Sequence, residues 1–536
     1  MRLLLIAAVI LVLSACLKQA ESASISEENL RRYISTLASD EFQGRKPCTP
    51  GEEKTLDFLE TEIKRIGLQP GNGNSYFQDV PLVEINGHPS PTMILDGPQK
   101  LALTLGDQYV AWTQRMDTSI SIQGSDLVFC GYGIVAPEYG WNDYADLDMK
   151  GKTALILVND PGLGSDDSTF FKGNTMTYYG RWTYKYEEAA RQGADAVMII
   201  HETNMAGYPW NVVRTAGSGA KLNLESLDYV PCQMQGWVSL DAAKEIFKSA
   251  DLDLQKAMMA ARKPGFKAIP LPYNVTAGIT NQIRKSVSRN VIATIPGTSQ
   301  KEEYLIFSAH WDHLGIGAKV EGDSIYNGAC DNASGSAALL SIAEAMIRKG
   351  ENKRTIVFLW VTAEEQGLLG SAHYAAHPVY PAEKTVANFN MDGFYPFGKM
   401  KDLSVIGYGQ SDLETYALRY AEKQGRYIIP DQEPEKGYFF RSDHFNFAKV
   451  GIPALYAKGR YDHYEKGKEY AKEKEAEFRT LYYHQPADEY EAETFDVGGI
   501  LIDAELYLNI ALELANNQDW PAWKPGSEFK AIREKK

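Results

Sequence analysis

Cysteine is scarce in this sequence, with five in 536 residues and none in a CxxC pair. A structural zinc site built on thiolates needs such closely spaced pairs, so this composition argues against one. Four cysteines lie beyond the N-terminal region: Cys48, Cys130, Cys232 and Cys330. In an oxidising compartment they could pair in three ways, and the sequence does not choose among the pairings.

Clustered positive charge is also missing, and the formal net charge is −15. Because phosphate backbones are bound by concentrated Lys and Arg, we expect no nucleic acid partner. A Gly-x-Ser-x-Gly nucleophile elbow is absent as well. Ser442, Asp443 and His444 are adjacent in the chain. A Ser-His-Asp triad requires a geometry that residues adjacent in sequence rarely adopt. These three residues are therefore interpreted as part of a loop that shapes a pocket.

Long apolar runs are confined to the N-terminus, where residues 3–13 follow Arg2. The run is shorter than the ~20 residues that span a membrane, which is typical of a secretory signal. Leu13-Ser14-Ala15-Cys16 resembles the lipobox of bacterial lipoproteins. We therefore predict a signal peptide over residues 1–16, lipidation of Cys16 and a polar tether over 17–28. The protein would be an exported periplasmic or cell-surface lipoprotein, anchored to the outer membrane. An ordinary signal cleaved near Ala23 is the alternative.

The length exceeds one ordinary core, and the patterning divides the rest of the chain. Residues 29–118 open with two amphipathic helices. Residues 119–272 alternate strands and helices as a second unit, and residues 273–536 do so again on a larger scale. Apolar strands are predicted at 304–308, 355–362, 386–390, 403–406 and 454–456, with helices between them. This order predicts an α/β fold with a mostly parallel, mixed sheet sandwiched by helices.

Polar groups follow several of these strands, at the edge where open α/β sheets bind ligands. The first strand leads into His310 and Asp312, the second into Glu364 and Glu365, and the third into Asp392. A Gly-rich turn before a helix carries Asp331, and a late loop carries Tyr483 and His484. Burying charges at such positions is costly unless a metal or a partner compensates them.

Two co-catalytic zinc ions need His and carboxylate ligands, one bridging carboxylate and a further carboxylate that accepts a proton from water. The set of groups above meets this requirement. The order His-x-Asp, Gly-x-x-Asp-Asn-x-x-Gly, Glu-Glu-x-Gly-x-x-Gly-Ser, Asn-x-Asp and a late His is similar to that of the co-catalytic two-zinc aminopeptidases, which include secreted bacterial leucine-type enzymes. Relatives often carry an inserted protease-associated domain, and residues 119–272 resemble one.

The resemblance implies a zinc metalloexopeptidase that removes N-terminal residues from peptides with a free N-terminus. It assigns His310 and Asp392 to one zinc, Glu365 and His484 to the other, and Asp331 to both. Glu364 would be the general base, and Asp312 would orient His310. Tyr483 matches a phenol that polarises the substrate carbonyl, a role that Tyr456 or Tyr482 could take instead. His313 resembles a structural position.

Two other functions remain possible on the sequence. A glutaminyl cyclase has a similar fold and typically works with one zinc, and receptor-like relatives keep the fold without metals. Retention of both ligand sets and Glu364 favours the aminopeptidase. The substrate residue preferred at the N-terminus and the oligomeric state are not indicated by the sequence.

Overall fold

The computed structural model describes residues 24–534, which form two units with separate hydrophobic cores. The predicted signal peptide and Cys16 lie outside these residues. The first core combines residues 25–76 with residues 291–515. The second combines residues 93–279. The first unit is therefore discontinuous in the chain, and the second is inserted into it.

The first unit contains a mixed sheet whose central strands are parallel. Arg354–Val361, Gln300–His310, Thr385–Asn390 and Ala454–Lys458 are adjacent in this order and all run the same way. The end of Ile269–Ile295 pairs antiparallel with Arg354–Val361 and with Gln69–Pro70. At the other edge, Asp402–Val405 and Tyr427–Pro430 complete the sheet. The predicted fold class is confirmed.

Alternating side chains of the central strands pack into two different layers. Ile356, Phe358 and Trp360 belong to the main core, whereas Val357 and Leu359 belong to a smaller cluster on the opposite face. Because successive side chains of a strand point to opposite faces, continuous apolar strands of this kind need cover on both sides.

Helices supply that cover. The main face packs against Glu27–Leu37, Pro50–Ile66, Ser334–Lys349 and Gly498–Asn516, and the opposite face against Leu369–Ala376 and His444–Lys449. Three further helices complete this unit: Leu413–Lys423, Gly467–Leu481 and Lys530–Glu534. The charged segment 465–479 lies largely in the helix Gly467–Leu481.

The second unit has its own parallel strands, Ser119–Phe129, Lys152–Leu157, Ala196–His201 and Met234–Ser239. Shorter antiparallel strands extend it: Thr92–Asp96, Leu101–Thr104, Tyr109–Trp112 and Ala220–Leu224. Its helices are Trp182–Arg191, Thr203–Ala206, Trp210–Ala216, Leu240–Ser249 and Leu254–Ala261. The core begins at Met93, ahead of residue 119, where the sequence placed the start of the insert. Its assignment as a protease-associated domain stays a prediction.

A long two-stranded ribbon connects the units. Phe77–Pro89 pairs antiparallel with residues 279–291 in continuous register, from Phe77 opposite Val291 to Pro89 opposite Ile279. The chain therefore leaves the first unit and returns to it along the same path.

The thiols of Cys48, Cys130, Cys232 and Cys330 are all free in this structure. None of the helices within residues 24–534 has the length and apolar character needed to cross a bilayer.

Candidate metal centre

Neighbouring parallel strands bring the predicted ligands together. His310 is the last residue of Gln300–His310, Glu364 follows Arg354–Val361, and Asp392 follows Thr385–Asn390. These three strands are adjacent and parallel. Their carboxyl ends meet at one edge, the usual position of a ligand site in an open α/β sheet.

The first cluster consists of His310, Asp331 and Asp392, whose ligand atoms lie within 4.8 Å of one another. Nε2 of His310 is 3.2 Å from Oδ1 of Asp331 and 3.4 Å from Oδ1 of Asp392. The His310 side chain is only 1% exposed. An imidazole and two carboxylates are suitable ligands for zinc.

The second cluster shares Asp331 and adds Glu365 and His484. Nε2 of His484 is 3.1 Å from Oε2 of Glu365 and 3.4 Å from Oδ2 of Asp331. His313 also reaches this cluster, with Nδ1 2.6 Å from Oε1 of Glu365. His313, Asp331 and Glu365 form a second group whose ligand atoms lie within 4.8 Å. His313 was predicted to have a structural role, and its position beside Glu365 is evident only in the folded chain.

Asp331 turns a different oxygen toward each cluster. Its Oδ1 faces His310 and its Oδ2 faces His484. Burial raises the pKa of the Asp331 carboxyl, but hydrogen bonds from the two histidines outweigh this and lower the pKa well below its usual range. A carboxylate held ionised between two sets of ligands is what a bridging position requires.

Glu364 lies beside the first cluster without entering either group of ligands. Its Oε2 is 4.0 Å from Nε2 of His310, and its side chain is 10% exposed. Burial raises its pKa well above the ordinary value, and the charges of Asp392 and Glu365 raise it further despite the opposing charge of His310.

The side chains of Glu364 and Glu365 diverge at a turn. An extended backbone would alternate the two side chains, but Ala363 has φ +52° and the amides of Gly367 and Leu368 donate to the Glu364 carbonyl. The segment is therefore a turn. Glu364 still faces His310 while Glu365 faces the second cluster.

Asp312 has a different hydrogen-bond partner from the one predicted. Nδ1 of His310 lies 3.1 Å from the backbone carbonyl oxygen of Asp312 and 3.8 Å from its carboxylate. The carboxylate instead accepts the backbone N–H groups of Glu364 at 3.0 Å and Glu365 at 3.4 Å. The residue thus orients the imidazole through its main chain and the glutamate turn through its side chain.

The three candidate tyrosines occupy different positions. Tyr483 and Tyr456 line the same cavity as Glu364, whereas Tyr482 is not part of this lining. The Tyr483 ring stacks on that of His484 with centroids 3.9 Å apart, and Tyr483 is 48% exposed. The Tyr456 hydroxyl donates to the backbone carbonyl of Asp392 at 3.2 Å.

Asp488 is a supporting residue that the sequence analysis did not identify. Its carboxylate accepts the backbone N–H of Cys330 at 3.0 Å and that of Asp331 at 3.1 Å. Burial raises its pKa to about 7. The residue lies four positions after His484, so one loop both provides a ligand and fixes the backbone of the shared carboxylate.

Arg45 is a second unpredicted support. Its fully buried guanidinium donates to four backbone carbonyls, those of Leu37, Trp311, Asn327 and Gly328, at 2.6 to 2.9 Å. These contacts join the segment after His310 to the one before Asp331. Arg45 follows Gly44, which has φ +65° and is closely packed against Tyr326 and Gly315. A larger residue would not fit at position 44, so this glycine is the one feature of the loop that is visible in the sequence.

A cavity of about 1190 Å³ opens onto both clusters. Asp331, Glu364 and Asp392 line it on the first unit, and residues of the second unit, including Trp112 and Tyr208, form an opposing wall. The insert therefore contributes to the surroundings of the site.

The chain resembles known peptidases. Residues 290–501 match Peptidase family M28. A "Probable leucine aminopeptidase" of Arthroderma otae is 31% identical over 218 residues, which is 39% of this chain and 54% of that protein. An "Aminopeptidase" of Pseudomonas aeruginosa is 23% identical over 436 residues, which is 78% of this chain and 67% of that protein.

Among solved structures, an aminopeptidase from Aneurinibacillus sp. strain AM-1 aligns with 94% of this chain and 97% of its own, at 21% identity and a TM-score of 0.49. The chain spans about half the length of the fungal relative. The matched segment contains both clusters, Glu364 and Tyr483. Residues 290–501 are thus similar in sequence to Peptidase family M28.

Proposed function

We propose that the protein is a zinc-dependent aminopeptidase that hydrolyses the first peptide bond of peptides with a free N-terminus. The observation that carries this proposal is the position of Asp331, with one oxygen toward His310 and the other toward His484. The similarity of residues 290–501 to Peptidase family M28 also supports this proposal.

Two zinc ions per chain are part of the proposal. His310 and Asp392 would hold one, Glu365 and His484 the other, and Asp331 both. Bound zinc supplies a Lewis acid that polarises the substrate carbonyl and lowers the pKa of bound water toward neutrality. His313 contacts the Glu365 oxygen that faces away from His484, so we assign it the role of orienting Glu365.

Glu364 has the properties of the proton acceptor. It is buried beside the first cluster, belongs to neither group of ligand atoms and lines the cavity. It would take a proton from water and pass it to the leaving amine. The acidic surroundings of Asp331, Glu364 and Asp392 would also attract the protonated N-terminus of a peptide.

Export as a lipoprotein completes the proposal and depends on the motif Leu13-Ser14-Ala15-Cys16. The wild-type chain should incorporate a labelled fatty acid when it is expressed in a Gram-negative host, and a Cys16→Ser variant should not. Equal labelling of the two chains would refute this site of attachment.

The test of the enzymatic proposal combines metal content with activity. The purified protein should contain close to two zinc ions by mass spectrometry and hydrolyse leucine p-nitroanilide. Chelation should abolish hydrolysis, and added zinc should restore it. One zinc with cyclisation of N-terminal glutamine would indicate a glutaminyl cyclase instead, and no zinc with no hydrolysis would indicate a binding protein.

A further inference from the structure

Two arginines in the cavity have no acidic partner. Arg181 comes from the second unit and Arg441 from the first, and both line the cavity that contains Glu364. Within residues 24–534, neither guanidinium has a carboxylate at ion-pair distance, and the Nε of each is buried without a hydrogen bond. Both residues are otherwise partly exposed, so their guanidinium groups can donate hydrogen bonds to an anion that enters the cavity.

Other arginines of the same cavity are paired. Arg460 donates to Glu475 at 2.7 Å, and Arg479 contacts Glu433 at 3.0 Å. Arg441 donates only to the backbone carbonyl of Lys436, at 2.6 Å. Positive charge in this cavity is therefore neutralised at some positions and left available at Arg181 and Arg441.

The charges of Arg181 and Arg441 affect the pKa values of neighbouring groups in the cavity. Burial, together with the charge of Arg441, lowers the pKa of Arg181 to about 9. Both arginines also lower the pKa of the Tyr208 phenol, against the effect of its burial. Tyr208 lines the cavity too. Two guanidinium groups and a phenol make a typical donor set for a carboxylate.

We infer that Arg181 and Arg441, with Tyr208, bind a carboxylate of the substrate peptide, and that this carboxylate is the free C-terminus of a short peptide. The inference rests on the proposed aminopeptidase function. One cavity is then lined both by carboxylates that can attract the substrate amine and by guanidinium groups that can bind its carboxylate. Its volume of about 1190 Å³ exceeds the ~300–1,000 Å³ of sites for drug-sized ligands, which leaves room for several residues.

The selectivity test compares Leu-Gly-Gly with its C-terminal amide. The wild-type enzyme should have a kcat/KM about 10- to 100-fold higher for the acid, as expected for charge-assisted hydrogen bonds. Arg181→Gln and Arg441→Gln should each reduce this ratio toward one. Arg214→Gln, at an exposed position of the second unit outside the cavity, should keep it.

A third substrate distinguishes the two sources of a carboxylate. If Leu-Gly-Glu amide is cleaved as efficiently as the free acid, and only when both arginines are present, the site binds an acidic side chain and the C-terminal assignment is wrong. Equal rates for acid and amide in the wild type would overturn the carboxylate site altogether. So would a ratio that neither arginine variant changes.

Binding separates this inference from the proposed activity. Acetyl-Gly-Gly has a blocked N-terminus, so its calorimetric titration does not depend on turnover. Wild-type protein should bind it more tightly than its amide, and Arg181→Gln should remove the difference. If leucine p-nitroanilide is not hydrolysed but this difference is present, the aminopeptidase function fails and the carboxylate site stands. If binding shows no difference, the carboxylate site fails whatever the activity.

Discussion

Asp488 holds the backbone of Asp331 in place, accepting its N–H at 3.1 Å across 157 positions of sequence. Cys330 donates its N–H to the same carboxylate. Asp331 therefore lies in a main-chain segment that two hydrogen bonds to Asp488 hold. Its two oxygens can face two clusters because its main chain is fixed.

Asp488→Asn should therefore weaken zinc binding by about 10- to 100-fold, the usual effect of removing a support behind a ligand. Activity should return at high zinc concentration, because the ligands themselves remain. Asp57→Asn, at an exposed helix position, is the matched control. Zinc dissociation constants from competition with a chelating dye provide the measurement. An unchanged constant would show that Asp488 does not support the site.

Glu364 and Glu365 should differ in what their amide variants lose. Glu364→Gln should keep both zinc ions and reduce kcat by ~10²–10⁴, because the proton acceptor is gone. Glu365→Gln should lose zinc from the second cluster and regain part of its activity with excess zinc. Bound zinc and kcat measured on both variants decide the assignment. Loss of zinc in Glu364→Gln alone would reverse it.

Tyr483→Phe should lower kcat by about 10²–10³ if its phenol stabilises the developing oxyanion. Tyr456→Phe is the competing variant, since Tyr456 lines the cavity but donates to the Asp392 carbonyl. Tyr482→Phe is the control, because Tyr482 stacks on Phe478 and is not part of the cavity lining. A larger loss in Tyr456→Phe than in Tyr483→Phe would transfer the role to Tyr456.

Glu433 should make stability depend on acid pH. Burial raises its pKa, but a hydrogen bond from Lys436 and the charge of Arg479 outweigh this and lower the pKa to about 2. The folded state thus binds this proton less readily than the unfolded chain, in which Glu433 has the ordinary glutamate pKa of about 4.5. The stabilisation is present above pH ~4.5 and is lost as the pH falls toward about 2.

The measurement is urea unfolding of the wild type and Glu433→Gln. Their free energies of unfolding should differ at pH 6, by less than about 1 kcal/mol because the pair is partly exposed, and should converge only as the pH falls to about 2. Glu435→Gln is the control, since no ion pair involving Glu435 occurs within residues 24–534. A difference that persists at low pH would mean that the variant acts through packing rather than charge.

The central strands could be predicted from the sequence because both of their faces are buried. The predicted strand at 355–362 is Arg354–Val361, and Ser334–Lys349 is one of the helices predicted between the strands. Such segments carry their signal locally, in continuous apolar residues and in the periodicity of helices. The helix Gly467–Leu481 gives a weaker signal, because its charged residues mask a narrow buried stripe that includes Ala471 and Phe478.

The supporting residues could not be predicted in the same way. Arg45 contacts the Gly328 carbonyl over 283 positions, and Asp488 contacts backbone amides rather than side chains. Main-chain partners leave no pattern of residue types that a sequence can display. The pairing of Asp312 with two amides, instead of with the imidazole, escaped prediction for the same reason.

The paired strands that join the two units have a topological consequence. Pro89 lies opposite Ile279, so the second unit is inserted between these two residues, at the tip of one long hairpin. A short turn could close that hairpin without breaking any strand of the mixed sheet in the first unit. The inserted unit could therefore be lost or exchanged in evolution while the strands that carry His310 and Glu364 remain, and the wall that carries Arg181 and Tyr208 would change with it.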